Sequence, residues 1–502
     1  MKTQFKRLGK GTLIYGLGGI LNRFIGLLML PLFTAYLTPA DYGVSSILGL
    51  VSFVLTSVFT LGFGVSMGVC YYEGDNPQRK TATIWTASLF LLLSVLVMLT
   101  LGIVLAKPIS VLAFQSNGYA KYIAPTVIGA AFSIVTVPFI LRLQFEERAK
   151  LFVLLTAVST ILSISINILL VVFLRWGVWG VVIGGMIGQI ISFLFYFIAA
   201  AKGLPIKVDL LVAKELFKLG LPMVPSFTFV FVIQQGNKYI LQLARGLEES
   251  GLYTVGFNLG LALNYAVSAF QTAWYPFFMS FFEKREEART LFGRIATYYF
   301  LGFGAVNLMF YLAARPVVLI LTQPAFHEAY RVVGLSATSS FFFGMFSLIL
   351  PGMYFAKEVK FVALIQGLAA VISIIVNVLL IPPLGFVGAA LGLAIGSFAM
   401  VLLTFLFSRL RGYLEVTYEW RRLFSFSLVY VVLSASSFLS PFDALPLVIL
   451  QSVFLTLLLV VALFFLLTRE ERRLVKEMKE KYLNWDTIRS LIGSTRNVFT
   501  NL

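Results

Sequence analysis

Apolar runs of about 20 residues recur along almost the whole chain, and each is long enough to cross the hydrocarbon layer of a membrane as a helix. Of the 502 residues, 59% are apolar and only 12% are charged, which is too little charge to cover a soluble fold of this size. Because a chain in lipid must satisfy its own backbone, the runs predict helices. The sequence therefore predicts an all-α, polytopic membrane protein with about fourteen transmembrane helices.

Lys and Arg residues are distributed unevenly between the two sets of loops. With the amino terminus placed inside, 31 of the 39 basic residues fall in inner segments and 6 in outer segments. Cationic loops stay in the cytoplasm, so this bias predicts a multi-pass protein of the cell membrane with both termini cytoplasmic. The net charge of +17 is then explained by anionic membrane lipids as partners, and no nucleic acid is expected.

Residue types that carry catalysis or bind metals are scarce. The chain has one cysteine, Cys70, and one histidine, His327, so it offers neither a disulfide framework nor a cluster for a metal ion. No P-loop is present. We predict no catalytic residue, metal or cofactor, and no enzyme activity. A membrane glycan-modifying enzyme stays as an alternative, with His327-Glu328 as its local acid–base pair.

Two stretches of the chain resemble each other. Residues 163–170 read SISINILL and residues 373–380 read SIIVNVLL, 210 residues later. Four glycines follow each stretch in the same spacing, at an offset of 208: Gly177, Gly180, Gly184 and Gly188, then Gly385, Gly388, Gly392 and Gly396. We infer that spans one to six repeat as spans seven to twelve. Six crossings restore the starting side, so the repeats are parallel, related by an axis along the membrane normal, with a central cleft between them.

The duplication predicts a division of the chain into an amino-terminal lobe, a linker, a carboxyl-terminal lobe, two additional transmembrane helices and a tail. Their bounds are 1–202, 203–218, 219–408, 409–468 and 469–502. The linker mixes apolar and basic residues, which favours a helix in the inner membrane interface. The basic, amphipathic tail has two interpretations, a membrane-surface helix or a site for a protein partner.

Two cations lie deep in predicted spans without a carboxylate at the same depth. Arg23 lies near the centre of span one and Lys238 in the outer half of span seven. A central Arg costs about 2.5–3.5 kcal/mol on insertion scales, so we expect Arg23 to face water or a ligand, and the two cations to face each other across the cleft. Snorkelling to the interface is the alternative for Lys238. Neighbouring amides complete the predicted lining: Asn22, Gln234, Gln235, Asn258, Asn264 and Gln271.

Cations and amides without carboxylates select anions, and Arg suits phosphate oxygens well. Arg142, at the inner end of span four, is a further candidate at the cytoplasmic mouth, or alternatively a topology anchor. Prolines can bend the spans that open and close such a cleft. Pro31 in span one, and Pro222 and Pro225 in span seven, are the candidates for this gating role.

A local motif carries a family resemblance. Residues 33–43 read FTAYLTPADYG, and residues 247–253, LEESGLY, echo them at the start of span eight. With the fourteen spans and the arginine in span one, the chain resembles the polysaccharide-unit flippases of the multidrug/oligosaccharidyl-lipid/polysaccharide exporter superfamily. The resemblance implies export of a polyprenyl-diphosphate-linked oligosaccharide to the outer leaflet by alternating access, in cooperation with polysaccharide assembly proteins. A lipid II flippase and a cation-coupled multidrug antiporter stay as alternatives, although the antiporter would need an embedded carboxylate.

Overall fold

A computed structural model describes residues 29–73, 76–282, 284–356, 358, 360–413, 416–438, 445–468 and 471–472. Every helix or strand element assigned among these residues is a helix, so the predicted all-α class is confirmed. The predicted site residues Asn22 and Arg23 lie outside the described residues.

Eight helices form the first repeat within the described residues. They are α1 Leu30–Tyr36, α2 Pro39–Phe59, α3 Phe63–Tyr72, α4 Pro77–Val104, α5 Ala106–Phe114, α6 Ala120–Phe145, α7 Ala149–Ile168 and α8 Val178–Ala201. Local signals explain where they begin. The side chain of Thr38 accepts a hydrogen bond from the N–H of Asp41, whose carboxylate accepts one from the N–H of Thr38. This capping box, with Pro39 in the first turn, starts α2.

A linker helix, the second repeat and two further helices follow. They are α9 Leu210–Gly220, α10 Val224–Arg245, α11 Leu247–Gly260, α12 Ala262–Met279, α13 Arg285–Leu312, α14 Ala314–Leu321, α15 Tyr330–Ile349, α16 Pro351–Phe355, α17 Lys360–Leu410, α18 Trp420–Phe438 and α19 Leu445–Leu466. Non-helical backbone at Gly385 divides α17 into two helices that pack side by side.

The same hairpin is built twice, once in each repeat. Gly177 and Gly385 both have φ +56°, a left-handed conformation that glycine adopts without strain. In the arms of the first hairpin, Gly184 lies against the Asn167 amide, and in the second Gly392 lies against the Asn377 amide. These pairs correspond position by position to the sequence repeat. The predicted duplication is therefore confirmed at this hairpin.

Nine helical segments among the described residues are long and apolar enough to cross a membrane. The longest, Phe361–Leu410, has 50 residues and contains the break at Gly385. The helices α10, α11–α12 and α18 are not among these nine segments. The chain is a multi-pass membrane protein, and the total of fourteen spans stays a prediction.

The linker helix α9 packs against the first repeat. Glu215 shares the guanidinium of Arg79 with Glu73, each at 2.6 Å, and Lys207 donates to Gln78 at 2.9 Å. Leu216 is buried on this face, whereas Leu210 and Leu211 are three-quarters exposed. This distribution is typical of a helix at a membrane interface. The boundaries of the predicted lobes stay predictions.

Candidate substrate cleft

The two repeats meet where α2 crosses α11. Gly43 lies so close to the carbonyl of Leu247 that a Cβ would not fit, and Gly251 lies equally close to the carbonyl of Pro39. Gly43 and Gly251 are 208 residues apart, as are Pro39 and Leu247, which is the offset of the repeat. The crossing is therefore symmetric, and it lies on the axis that relates the two repeats.

Other contacts between the repeats surround this crossing. Thr254 donates to the Ser46 hydroxyl at 2.8 Å, and Tyr239 donates to the carbonyl of Leu112 at 2.7 Å. Further along α2, the rings of Phe53 and Phe231 also stack between the repeats, with their centres 4.4 Å apart. We call this end of the molecule the crossing end. It brings α2, α5, α10 and α11 together.

Beyond the crossing, polar side chains form two stripes, one in each repeat. At the carboxyl end of α2, the capping residue Thr60 donates to the carbonyl of Thr56, and Thr56 donates to the carbonyl of Ser52 at 2.8 Å. On α12, Ser268 donates to the Asn264 amide oxygen at 3.0 Å. Thr272, which donates to the carbonyl of Ser268, extends the second stripe by a turn.

The stripes are related by the same offset as the crossing. Thr56 and Thr60 lie 208 residues before Asn264 and Ser268. Ser268 is exposed, while Thr56, Thr60 and Asn264 are half-buried. Polar side chains of a membrane helix face water or protein rather than lipid, so we infer that both stripes border the space between the repeats.

The three predicted amides of span eight separate into two groups in the structure. Asn258 is exposed, although its neighbours Phe257 and Leu259 are buried, and we place it at the same cleft as Asn264. Gln271 instead donates to the carbonyl of Phe343 on α15, at 3.2 Å. Gln271 thus helps to hold α12 against α15.

Lys238 is buried between helices of its own repeat. Its ammonium lies 4.4 Å from the centre of the Phe257 ring on α11, and 7% of the residue is exposed. The adjacent Asn237 donates from its amide nitrogen to the Tyr253 hydroxyl and to the carbonyl of Ala389. The sequence grouped Asn237 with Gln234 and Gln235 as polar residues beside Lys238, and in the structure its amide joins α10, α11 and α17.

Two predicted amides lie on the same helix as Lys238, and one predicted cation lies elsewhere. Gln234 and Gln235 are half-buried on α10. Arg142 is buried, paired with Glu146 at 2.7 Å, and donates to the carbonyl of Ala200. Its contacts therefore join the end of α6 to the end of α8, which is the geometry expected of an anchor.

The prolines with a predicted gating role lie at helix ends. Pro31 is in the first turn of α1, and Pro225 is in the first turn of α10. Pro222 lies in the short 3-10 helix Leu221–Met223, before α10 begins. The sequence placed Pro222 inside span seven, and the structure instead places it at the bend between the linker helix and that span.

The two described stripes are neutral and polar. Each stripe consists of hydroxyls and amides, and none of the described stripe residues is a carboxylate or a cation. Such side chains both donate and accept hydrogen bonds, so the cleft suits a ligand rich in hydroxyl groups. The described residues also hold no group of His, Cys, Asp and Glu side chains that could bind a metal ion.

Solved structures of membrane transporters share this fold. An inward-facing multidrug resistance MATE family transporter of the MOP superfamily aligns with a TM-score of 0.65 at 15% identity, covering 76% of this chain and 93% of that one. The lipid II flippase MurJ, in an inward closed conformation, aligns with a TM-score of 0.65 at 17% identity, covering 90% of this chain and 99% of that one. An outward-facing MATE family transporter aligns with a TM-score of 0.55 at 17% identity, covering 81% and 95%. No curated protein matches the chain.

A family model supplies the remaining comparison. The model of the family "Polysaccharide biosynthesis protein" matches residues 8–282, which is more than half of the chain. The match contains the crossing, both polar stripes and Lys238. The solved structures named above are transporters and flippases, and the likeness to them shows the fold of this chain. The protein thus belongs to the polysaccharide biosynthesis protein family, with the fold of the MOP superfamily transporters.

Proposed function

We propose that the protein carries a polyprenyl-diphosphate-linked oligosaccharide from the cytoplasmic to the outer leaflet of the cell membrane. The observation that carries the proposal is the pair of symmetric, uncharged polar stripes below the crossing of α2 and α11. Their hydroxyls and amides match the hydrogen-bonding groups of a glycan. A cation-coupled antiporter would favour carboxylates in this lining, and the described stripes contain none.

The orientation of the cleft follows from the distribution of basic residues. With both termini cytoplasmic, α2 and α11 begin at the outer surface, so the crossing end closes the cleft toward the outside. Cargo then enters from the cytoplasm, and separation of the repeats at Gly43 and Gly251 releases it outward. The membrane potential favours outward movement of the diphosphate by about 2.3 kcal/mol per charge per 100 mV.

The proposed cargo contacts combine two kinds of side chain. Asn258 and Asn264 contact sugar hydroxyls, while Arg23 and Lys238 contact the diphosphate. The isoprenoid tail remains in the bilayer. In this conformation Lys238 lies against Phe257, so the proposal requires its ammonium to become accessible when the repeats move.

Transport in proteoliposomes tests this function. Purified protein is reconstituted with a fluorescent polyprenyl-diphosphate oligosaccharide, and translocation is followed by quenching from outside. We expect Arg23→Ala to reduce translocation about tenfold or more, which corresponds to ~1.4 kcal/mol of lost stabilisation. Lys150→Ala, which removes an exposed cation from the start of α7, is the matched control. Full activity of Arg23→Ala would remove this residue from the mechanism, and inactivity of the wild-type protein with oligosaccharide lipids would contradict the function.

A lipid II flippase is the second candidate. The alignment with MurJ, which covers 90% of this chain and 99% of that one, favours it. The same proteoliposomes, supplied with fluorescent lipid II, separate the two candidates. Faster translocation of the oligosaccharide lipid supports our proposal, and faster translocation of lipid II supports the alternative.

A further inference from the structure

A cavity separate from the cleft lies where α15, α17 and α18 come together. Its volume is about 380 Å³, and its wall includes Ile349, Phe405, Ser408, Arg409 and Trp420. The carboxyl ends of α15 and α17 and the amino end of α18 meet here, at the end of the molecule opposite the crossing end. This volume is within the range of small-ligand sites.

One polar group at the wall of this cavity, the Ser408 hydroxyl, lacks a hydrogen-bond partner. Ser408 is 7% exposed, and its hydroxyl has no hydrogen-bond partner. One turn earlier, the Thr404 hydroxyl donates to the carbonyl of Met400 at 2.6 Å, which is the usual arrangement in a helix. The Ser408 hydroxyl does not donate to the carbonyl one turn earlier. A buried hydroxyl that can both donate and accept a hydrogen bond is therefore left unpaired at the cavity wall. Such a group is satisfied at little cost by a polar ligand.

The charge of the cavity is positive. Arg409 lines it, and among the described lining residues there is no carboxylate. The neighbouring Arg422 differs, because Glu419 and Glu471 both pair with it, at 2.6 and 2.9 Å. No described carboxylate pairs with Arg409, whose guanidinium is therefore available to an anion.

The carbonyl groups at the end of α17 carry partial negative charge that would repel an anion, but N–H groups of the turn that follows donate hydrogen bonds to them. The N–H groups of Arg411, Gly412 and Tyr413 donate to the carbonyls of Phe407, Arg409 and Ser408, at 3.1 Å each. Gly412 has φ +60°, the left-handed conformation that ends many helices. The dipole of α17 is thereby partly capped.

The opposite wall is fixed in place by α13. The N–H of Thr417 donates to the carbonyl of Arg289 at 3.3 Å, and the carbonyl of Thr417 lies so close to Gly293 that a Cβ would not fit there. Tyr418 follows directly, with its ring centre 5.9 Å from that of Phe405 and 5.5 Å from that of Trp420. Burial raises the pKa of Tyr418 to about 12, so its hydroxyl stays protonated.

We propose that this cavity binds the phosphate group of an anionic membrane lipid, with Arg409 contacting the phosphate and Ser408 hydrogen-bonding to it. The aromatic side chains favour a lipid over a free anion, since Trp and Tyr concentrate at membrane interfaces. Trp420 is 58% exposed and Leu410 is 86% exposed, which leaves apolar surface beside the cavity for acyl chains. Basic pockets between spans on the cytoplasmic side bind anionic head groups, and this placement rests on the proposed orientation.

Thermal unfolding of the purified protein in detergent tests the site without any transport assay. We expect phosphatidylglycerol to raise the Tm of the wild-type protein more than phosphatidylcholine does. Arg409→Gln and Ser408→Ala should each lose most of this difference, whereas Lys150→Gln, with the same change of charge in the other repeat, should keep it. The Tm of each variant without added lipid shows whether it is folded.

Three results would overturn the proposal. The first is an equal response of Arg409→Gln and the wild-type protein to phosphatidylglycerol. The second is an equal effect of phosphatidylcholine and phosphatidylglycerol. The third is a Tm increase with millimolar inorganic phosphate that equals the increase with phosphatidylglycerol, which would make the source a free anion. Because none of these measurements involves cargo, failure of the lipid site is distinguishable from failure of the proposed transport function.

Discussion

Positions 208 residues apart in the two repeats can be compared one by one. Gly43 and Gly251 occupy the same place at the crossing, and Gly177 and Gly385 have the same φ. At the same offset, however, Lys238 corresponds to Leu30, and Leu30 is a buried apolar residue. The repeats share their close helix contacts and the positions of their polar stripes, and they differ at Lys238.

This difference separates residues that hold the helices together, which we call the frame, from residues that act on cargo. A glycine at a close contact is replaced only with a change of backbone position, so both copies retain it. The repeat architecture does not require a buried ammonium, because the equivalent position in the first repeat is leucine. The comparison therefore assigns the frame to the glycines and leads us to predict a transport role for Lys238, and four predictions test it.

The largest effect is expected at the crossing. Gly251→Val places a side chain against the carbonyl of Pro39, so the repeats cannot meet as they do here, and transport should fall about tenfold or more. Gly43→Val should have the same effect, because the contact is symmetric. Gly49→Val, on α2 but with open space at its Cβ position, is the control. The measurement is translocation of fluorescent lipid-linked oligosaccharide, and a normal rate for Gly251→Val would contradict the closing role.

The next effect concerns Lys238. Lys238→Met keeps the length of the side chain and removes a buried charge, so we expect the Tm to stay the same or to rise. Transport should nevertheless fall several-fold, about 1 kcal/mol, if the ammonium contacts the cargo. Lys107→Met, at an exposed position at the start of α5, is the control. A lower Tm together with normal transport would show that Lys238 stabilises the fold and does not act on cargo, which would contradict the conclusion drawn from comparing the repeats.

The twin hairpins provide a smaller effect on stability. Gly392→Ala forces a methyl group against the Asn377 amide and should destabilise the protein by about 1–3 kcal/mol. Gly184→Ala should do the same at Asn167. Gly185→Ala, where nothing lies near the Cβ position, should be nearly neutral, as measured by the Tm in detergent. The double variant Asn377→Ala with Gly392→Ala should lose less stability than the sum of the single variants.

The smallest effect is a pH dependence specific to the segment after α19. Burial raises the pKa of Glu471, but hydrogen bonds from Thr468, Tyr298 and Arg422 outweigh it and hold the pKa below its usual value. The stabilisation by the carboxylate is therefore complete at neutral pH and is lost as the pH falls through the lowered pKa. At pH 7 we expect Glu471→Gln to lower the free energy of unfolding by at most about 1 kcal/mol, and the Tm with it. The Tm difference from the wild-type protein should shrink as the pH falls from 7 to 4. A Tm difference that does not change with pH would contradict this prediction. The control is the exposed ion pair between Glu286 and Arg289.

Much of the fold could be predicted from sequence, because its signals are local. The glycine spacing after residue 177 predicted the internal duplication, and the structure confirms it at the hairpin that each repeat contains. The all-α class followed from the length of the apolar runs. The bend before α10 was predicted less well, since Pro222 marks a helix boundary and not a point inside a span.

The site was harder to predict. Where a helix is interrupted, the spacing of residues along the sequence no longer shows which of them share a face. Asn258, Asn264 and Gln271 were grouped by spacing alone, and α11 ends at Gly260 before α12 begins at Ala262. In the structure Asn258 is exposed, whereas Gln271 bonds to the carbonyl of Phe343. Likewise, a buried arginine such as Arg142 reveals its partners only when the chain is folded. The role of each site residue in transport stays a prediction.

The pair Ser46 and Thr254 has a consequence for the history of such a chain. In an assembly of two identical subunits, a residue on the symmetry axis meets its own copy, so every substitution is introduced on both sides at once. Joining the copies into one polypeptide removes that constraint. Here serine stands on one side and threonine on the other, and the hydroxyl contact between them survives. A fused chain can thus change one side of the contact on the symmetry axis by a single methyl group, while the residue on the other side stays unchanged.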